Sequence, residues 1–173
     1  MRAALFAVMA LALAGCAGYS WRSEVPAELR TVAGPTFETR SDVTELGAVV
    51  TAQLLREFQR EGTFRIRRAG DAAVEVQGVI EKVDTDAVAY SRRSGLRNVE
   101  YGMKMTARVS VIDKTASRVV VDDRRYVAQT TFVANDDVLT GERNASGRLA
   151  EDLARQVVDD VTMTDFSEKG ESK

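Results

Sequence analysis

Apolar and polar residues alternate strictly along one segment in the middle of the chain. From Tyr101 to Val111 every second residue is apolar. The positions between them carry Lys104, Thr106, Arg108 and Ser110. This period of two predicts a β-strand with one face on a core and the other toward solvent. The runs 74–90 and 118–133, rich in β-branched and aromatic residues, predict two neighbouring strands, the second with a charged break at 122–125.

Helical spacing of apolar residues predicts two amphipathic helices. The first begins at Asp42, where Glu45 completes a capping box, and ends at Gly62. Its apolar positions are Leu46, Val49, Val50, Leu54 and Phe58. The second helix has Asn144 or Ser146 as its expected N-cap. Its apolar positions recur every four residues, at Leu149, Leu153, Val157 and Val161, with Ala150 and Ala154 beside them.

These elements define a fold class. A first strand is expected within 29–37, where Pro35 indicates a sheet edge or a strand end. The order is then β-α-β-β-β-α, and long adjacent strands with short connections form antiparallel hairpins. We therefore predict an α+β domain over 29–166, a single small mixed or antiparallel sheet of about four strands with two amphipathic helices packed on one face. The opposite face of the sheet would be available to a partner.

The N-terminus has the pattern of a secretory leader. A charged start is followed by the apolar run 3–14, which is too short to span a membrane. We read 1–15 as a signal peptide and 13–16, Leu-Ala-Gly-Cys, as a lipobox that ends in an acylated Cys16. The alternative is a stray cysteine behind a leader. Residues 16–28 are then an acylated tether, and the polar segment 167–173 is predicted to be disordered.

Composition narrows the possible chemistry. With 45% hydrophobic and 29% charged residues and a net charge of −2, nothing indicates a nucleic-acid binder. The chain has no histidine and one cysteine, which excludes Ser-His-Asp catalysis, imidazole metal sites and internal disulfides. No cofactor is expected, and a binding or structural protein is favoured over an enzyme. Three acid pairs are candidate carboxylate catalysts: Asp84 with Asp86, Asp122 with Asp123, and Asp136 with Asp137. Solvated acids are the favoured interpretation, because neighbours on a strand point to opposite faces and two of the pairs lie where turns or edges are expected.

Basic residues form several clusters. Arg65, Arg67 and Arg68 lie between the first helix and the second strand, and Arg92, Arg93 and Arg97 lie at the tip between the second and third strands. Further basic positions are Arg124 and Arg125 in the fourth strand and the outward Lys104 and Arg108. A guanidinium fork matches phosphate geometry. The alternative for each cluster is a solvated surface with weak ion pairs.

The chain resembles the lipopolysaccharide-assembly lipoprotein family LptE. The similarity begins after the lipobox with Gly18-Tyr19 and Val25-Pro26 and continues through the first helix. It includes the strands 73–78 and 84–90, the segment 100–106 and the helix segment 148–153. These are packing patterns in a fixed order, which together cover nearly the whole mature chain.

The resemblance implies a non-enzymatic outer-membrane lipoprotein that plugs the LptD β-barrel and assists lipopolysaccharide transport. It implies lipopolysaccharide contact at the tip that contains Arg92, Arg93 and Arg97. A second basic position of the family is not carried over, because 134–137 here reads Ala-Asn-Asp-Asp. Two other functions stay open: an envelope lipoprotein that activates a peptidoglycan synthase or serves a secretion assembly, and a carboxylate-based hydrolase of cell-wall glycan.

Overall fold

The computed structural model describes residues 25–41, 45–93, 96–134 and 138–166, and at 89–93, 96–99, 134 and 138 it describes the backbone alone. The expected signal peptide, Cys16 and polar tail lie outside the described residues. A 3-10 helix at Ala27–Leu29 precedes the sheet. The remaining elements are β1 (Thr31–Ala33), β2 (Glu38–Thr39), α1 (Leu46–Glu61), β3 (Arg65–Ile66), β4 (Val74–Arg93), β5 (Leu96–Asp113), β6 (Arg118–Ala134) and α2 (Val138–Met163).

The α+β class with one mixed sheet is confirmed, but the sheet has six strands and the expected four is wrong. Its order is β3-β1-β4-β5-β6, and β2 pairs with β4 beyond the end of β1. The pairings of β1 and β2 are parallel, whereas β4, β5 and β6 form an antiparallel meander. Two of the strands, β2 and β3, have two residues each, too few to show a period of two in the sequence.

One hydrophobic core joins both helices to one face of the sheet. The odd-numbered residues of β5 from Met103 to Val111 are buried, as the alternation predicts. The helices contribute Leu46, Val50, Leu54 and Phe58 from α1, and Leu149, Leu153, Val157 and Val161 from α2. Val49, expected on the apolar side of α1, is 37% exposed. The buried apolar side chains of the described residues lie between Val25 and Phe166, so the packed domain includes Val25, which the sequence assigned to the tether.

The helix ends confirm one prediction and correct another. Gly62 ends α1 in the left-handed conformation with φ 88°, and its N–H donates to the carbonyl of Phe58. Asp42, the predicted cap of α1, lies outside the described residues. The prediction that Asn144 or Ser146 caps α2 is wrong, because α2 begins at Val138. Within α2 the hydroxyl of Ser146 donates to the carbonyl oxygen of Glu142 at 2.8 Å.

The side of the sheet opposite the helices carries the even-numbered residues of β5 and their neighbours on β4 and β6. We call it the helix-free face and define it by Glu81, Lys104, Arg108, Arg125 and Gln129. Thr106 is its buried exception, at 6% exposure in the middle of the central strand. Across the described ranges, neither helix has the length and apolar character needed to cross a bilayer.

Candidate functional site at the hairpin end and the helix-free face

The β4–β5 hairpin brings the predicted arginines together at the level of the backbone. The sequence places these arginines around a loop, but β4 runs to Arg93 and β5 starts at Leu96, so all three are strand residues. In the observed register Arg92 pairs with Arg97, and Arg93 pairs with Leu96. Two basic residues therefore lie directly opposite each other at the hairpin tip.

This register has an electrostatic cost. Directly opposed residues of an antiparallel pair have Cα atoms about 4.5–5.5 Å apart. Like charges at such positions destabilise the pair, and an anion that contacts both relieves the repulsion. In the observed register Arg92 and Arg97 are two such like-charged, directly opposed positions.

A groove of about 750 Å³ lies on the helix-free face between this tip and the centre of the sheet. Lys104, in the central strand, is exposed and lies in register with Asp84 of β4 and Gln129 of β6. The ammonium of Lys82 lies 2.6 Å from the carboxylate of Asp84. Lys104 has no ion-pair partner among the side chains that the structure describes, but Asp86 also lines the groove, so its two lysines and two aspartates carry no net charge.

Two exposed valines lie on the same face, closer to the tip. Val88 is the extra residue of a β-bulge between Ala87 and Ala89, and its Cγ1 lies 3.0 Å from the place a Cβ of Gly102 would occupy. Val133 is in register with Glu100 on the next strand. Both valines are 57% exposed. The exposure of Val88 is not predictable from the sequence, because the bulge that turns it onto this face leaves no sign in the pattern of apolar and polar residues.

Arg108 is at the centre of a compensated charge network. Its guanidinium donates to Glu81 at 2.9 Å and to the carboxylate of Asp123 at 2.8 Å. The hydrogen bond with Glu81 and the charge of Asp123 raise the pKa of Arg108 above its ordinary value. The two carboxylates offset the repulsion between Arg108 and Arg125, which are in register on neighbouring strands. Arg108 is therefore engaged within the protein and is not a free anion site.

The expected charged break in the fourth strand is a bulge inside a continuous strand. Asp123 has φ 42°, and the register shifts between the pairs Val109–Arg124 and Val111–Val121. The backbone N–H of Asp123 donates to the side-chain hydroxyl of Ser110 at 3.0 Å and stabilises the bulge. As a result, Arg124 lies toward α2, whereas Arg125 lies on the helix-free face.

Arg124 connects the sheet to the second helix. Its guanidinium donates to the carboxylate of Asp160 on α2, and the hydroxyl of Tyr126 donates to the same carboxylate. Burial raises the pKa of Tyr126 above its ordinary value, and the hydrogen bond and negative charge of Asp160 raise it further. This part of the basic cluster has a structural role.

The acid pairs do not assemble a catalytic site. Asp84 and Asp86 lie on β4, as the strand-like run 74–90 predicts, but they are two residues apart and therefore share the helix-free face, so the expectation that paired acids on a strand point to opposite faces is wrong for this pair. Asp84 is paired with Lys82. Asp136 and Asp137 lie outside the described residues. Over the described ranges, no three His, Cys, Asp or Glu residues group so that they could hold a metal ion.

Three solved structures illustrate the proteins that resemble this fold. A putative lipoprotein from Caulobacter crescentus is 16% identical, with TM-score 0.47 over 73% of this chain and 88% of that chain. The hypothetical protein CT253 from Chlamydia trachomatis is 14% identical, with TM-score 0.49 over 80% of this chain and 98% of its own. A minor lipoprotein from Acinetobacter baumannii is 13% identical, with TM-score 0.42 over 79% and 93%. Among curated proteins, none matches this chain.

The fold defines a class: a six-stranded mixed sheet with two helices packed on one face. The lipopolysaccharide-assembly family LptE matches residues 29–161, and the chain belongs to this family. It is a family of non-enzymatic envelope lipoproteins. The resemblance stated from the sequence is thereby confirmed.

Proposed function

We propose that this protein is an outer-membrane lipoprotein, acylated at Cys16, that plugs and stabilises an LptD-like β-barrel and assists lipopolysaccharide transport to the outer leaflet. The observation that carries the proposal is the family match over 29–161, which includes every strand and all of α1. The fold supports it, because one sheet face carries both helices and the other is open along three strands of 17–20 residues.

The helix-free face is the proposed contact with the barrel. Val88 and Val133 give it exposed apolar area near the hairpin tip, and Thr131 and Gln129 continue it with uncharged polar groups. A stable interface of standard size buries about 800 Å² on each partner, with an apolar centre and a polar rim. A face of three long strands is large enough to supply such an area.

Lipopolysaccharide contact is proposed at the hairpin tip. The phosphates of lipid A are negatively charged and would compensate the positive charges of the opposed Arg92 and Arg97. Arg93, at the end of β4, adds a third guanidinium. Lys104 lies on the helix-free face farther down the hairpin. Lipopolysaccharide bound at the tip would therefore lie beside the proposed barrel contact.

A pull-down tests the proposed function. The chain is tagged after Lys173 and is recovered from outer membranes in mild detergent for mass spectrometry of its partners. A stoichiometric large β-barrel is the expected partner. The double variant Val88→Asp with Val133→Asp should lose the barrel, whereas Met163→Asp, at an exposed position on α2, should retain it. A peptidoglycan synthase recovered in place of any barrel would overturn the proposal in favour of the alternative.

A further inference from the structure

A second basic surface lies at the end of the sheet away from the hairpin tip. The segment 65–72 contains Arg65, Arg67 and Arg68 and a single acid, Asp71. All three arginines are exposed. Their side chains have no carboxylate partner among the described residues, in contrast to Arg108, Arg118 and Arg124. We call these three residues the arginine edge, since Arg65 belongs to β3, the outermost strand of the sheet.

Backbone pairing fixes the arginine edge in place. The N–H of Arg65 donates to the carbonyl of Arg30 at 2.8 Å, and the N–H of Arg67 donates to the carbonyl of Val32 at 2.9 Å. Ile66 between them packs against the core, so Arg65 and Arg67 lie on the other side of the strand. The N–H of Asp71 donates to the carbonyl of Arg68 and closes the following turn. The three charges are thus presented by ordered backbone.

The arginine edge is adjacent to the place where the chain enters the domain. The guanidinium of Arg30 donates to the carbonyl of Val25 at 3.0 Å, and Arg30 in turn accepts from Arg65. Val25 is nine residue steps from Cys16, a length of chain that spans at most about 30 Å when fully extended. An acyl anchor on Cys16 therefore keeps the arginine edge within reach of the lipid surface that holds it.

We propose that Arg65, Arg67 and Arg68 form a membrane-contact surface that binds the anionic phospholipid headgroups of the leaflet in which the protein is anchored. The position of this surface next to the membrane rests on the proposed acylation of Cys16, whereas its binding of headgroups does not. We expect the surface to recognise charge on a plane of headgroups, because the three arginines are exposed and lie within four consecutive residues at the end of an outer strand.

This contact would also orient the molecule. Strand β4 starts at Val74, in register with Val32 beside the arginine edge, and ends at Arg93. Nineteen residue steps at about 3.3 Å separate these two ends by about 60 Å. Contact with the leaflet at one end therefore leaves the basic tip free at the other.

Vesicle binding tests the proposal. The chain from residue 17 to 173 retains the whole core and has no acyl anchor, so it reports the protein surface alone. It should sediment with vesicles of phosphatidylcholine and phosphatidylglycerol but not with phosphatidylcholine alone, and high salt should release it. Replacing Arg65, Arg67 and Arg68 by Gln should lower the partition coefficient about fivefold for each arginine and on the order of 100-fold for all three.

Two further variants distinguish the possible outcomes. Replacing the same three residues by Lys should preserve most of the binding, because attraction to a plane of anionic headgroups depends on positive charge and not on guanidinium geometry. A loss as large as that with Gln would indicate a discrete guanidinium site and overturn the proposal. Gln at Arg56, Arg143 and Arg155 removes three exposed charges on the helices and should leave binding nearly unchanged. Equal binding by the edge variant and this control would also overturn it.

A competition experiment distinguishes binding to a lipid surface from binding to free phosphate. Excess inorganic phosphate, compared with chloride at matched ionic strength, should not displace the chain from vesicles, and displacement would overturn the membrane surface in favour of a small-anion site. Circular dichroism and thermal unfolding confirm that each variant is folded. The barrel pull-down is carried out on the same triple Gln variant of the full chain. If the variant still recovers the barrel but no longer binds vesicles, the arginine edge acts in membrane contact and not in barrel binding, so the two proposals are tested independently.

Discussion

Phe37 packs its ring against the Cα of Gly78, in the space that any side chain at position 78 would occupy. The backbone of Phe37 is held from the other side by α1: its N–H donates to the hydroxyl of Thr51 at 2.9 Å, and its carbonyl lies against Gly47. Thr51 in turn donates to the carbonyl of Gly47 at 2.8 Å. One residue of the β1–β2 connection therefore positions α1 on the sheet.

Substituting Gly78 by Ala should destabilise the domain. The added Cβ would overlap the ring of Phe37, which has little room to move because its backbone is bound to α1. Overpacking of this kind costs about 1–3 kcal/mol. Chemical denaturation measures the change, with Gly70→Ala as the control, since Gly70 is exposed and a Cβ there meets nothing within 4 Å. Equal stability of the two variants would show that the ring relaxes freely.

Asp113 should make the stability of the domain sensitive to acid. Burial alone would raise its pKa, but hydrogen bonds from Thr115, from the N–H of Ala116 and from Arg118 outweigh burial and lower the pKa. A carboxyl whose pKa is lower in the folded state stabilises the fold above its unfolded pKa, near 4, and this contribution is lost as pH falls through the folded pKa.

The variant Asp113→Asn tests this dependence. It should be less stable than the parent at neutral pH, and its stability should fall less steeply below about pH 4. Thermal unfolding over a pH series measures both effects. The exposed Asp122, substituted in the same way, should leave the neutral-pH stability unchanged. A parent and an Asp113→Asn variant with parallel pH profiles would contradict the assignment.

The long elements were predictable because each carries its own periodicity. The alternation from Tyr101 to Val111 identifies β5 and its buried face, and the spacing from Leu46 to Phe58 with Gly62 behind it identifies α1. The short strand β3 carries no such signal, because its existence depends on the backbone bond from Arg65 to Arg30, about 35 positions away in the sequence. The start of α2 was missed for a similar reason. Gly141 packs against Phe132, a tertiary contact that extends the helix beyond its apolar repeat.

The candidate site was predictable as a set of residue types and not as an arrangement. The sequence grouped Arg124 with Arg125, but the bulge at Asp123 directs Arg124 to Asp160 on α2 and places Arg125 on the helix-free face. Likewise, nothing in the sequence shows that Arg92 and Arg97 are directly opposed, because the register depends on two bulges farther down the hairpin. Charge compensation depends on register, and register is a property of the whole sheet.

Asp160 should stabilise the packing of α2 on the sheet. Asp160→Ala leaves the Tyr126 hydroxyl, in a residue 7% exposed, without its acceptor, which costs about 1–3 kcal/mol. Tyr126→Phe should cost less, because Asp160 then keeps Arg124. A double-mutant cycle by denaturation gives the coupling. As a second readout, Asp160→Ala should lower the pKa of Tyr126 in an absorbance titration, since the carboxylate raises it. An unchanged titration would contradict the observed hydrogen bond.

Reversing one charge at the hairpin tip should move stability and ligand binding in opposite directions. Arg92→Glu places a carboxylate opposite Arg97 in the observed register, and such cross-strand pairs contribute about 0.2–1 kcal/mol. The hairpin should thus be as stable as before or slightly more stable, while affinity for lipopolysaccharide falls, because the opposed guanidinium pair is lost. Arg143→Glu makes the same change in net charge on the exposed side of α2 and should alter neither property. Thermal unfolding and direct binding of purified lipopolysaccharide measure the two effects. A fall in stability would contradict the register, and unchanged binding would show that the phosphates are recognised elsewhere.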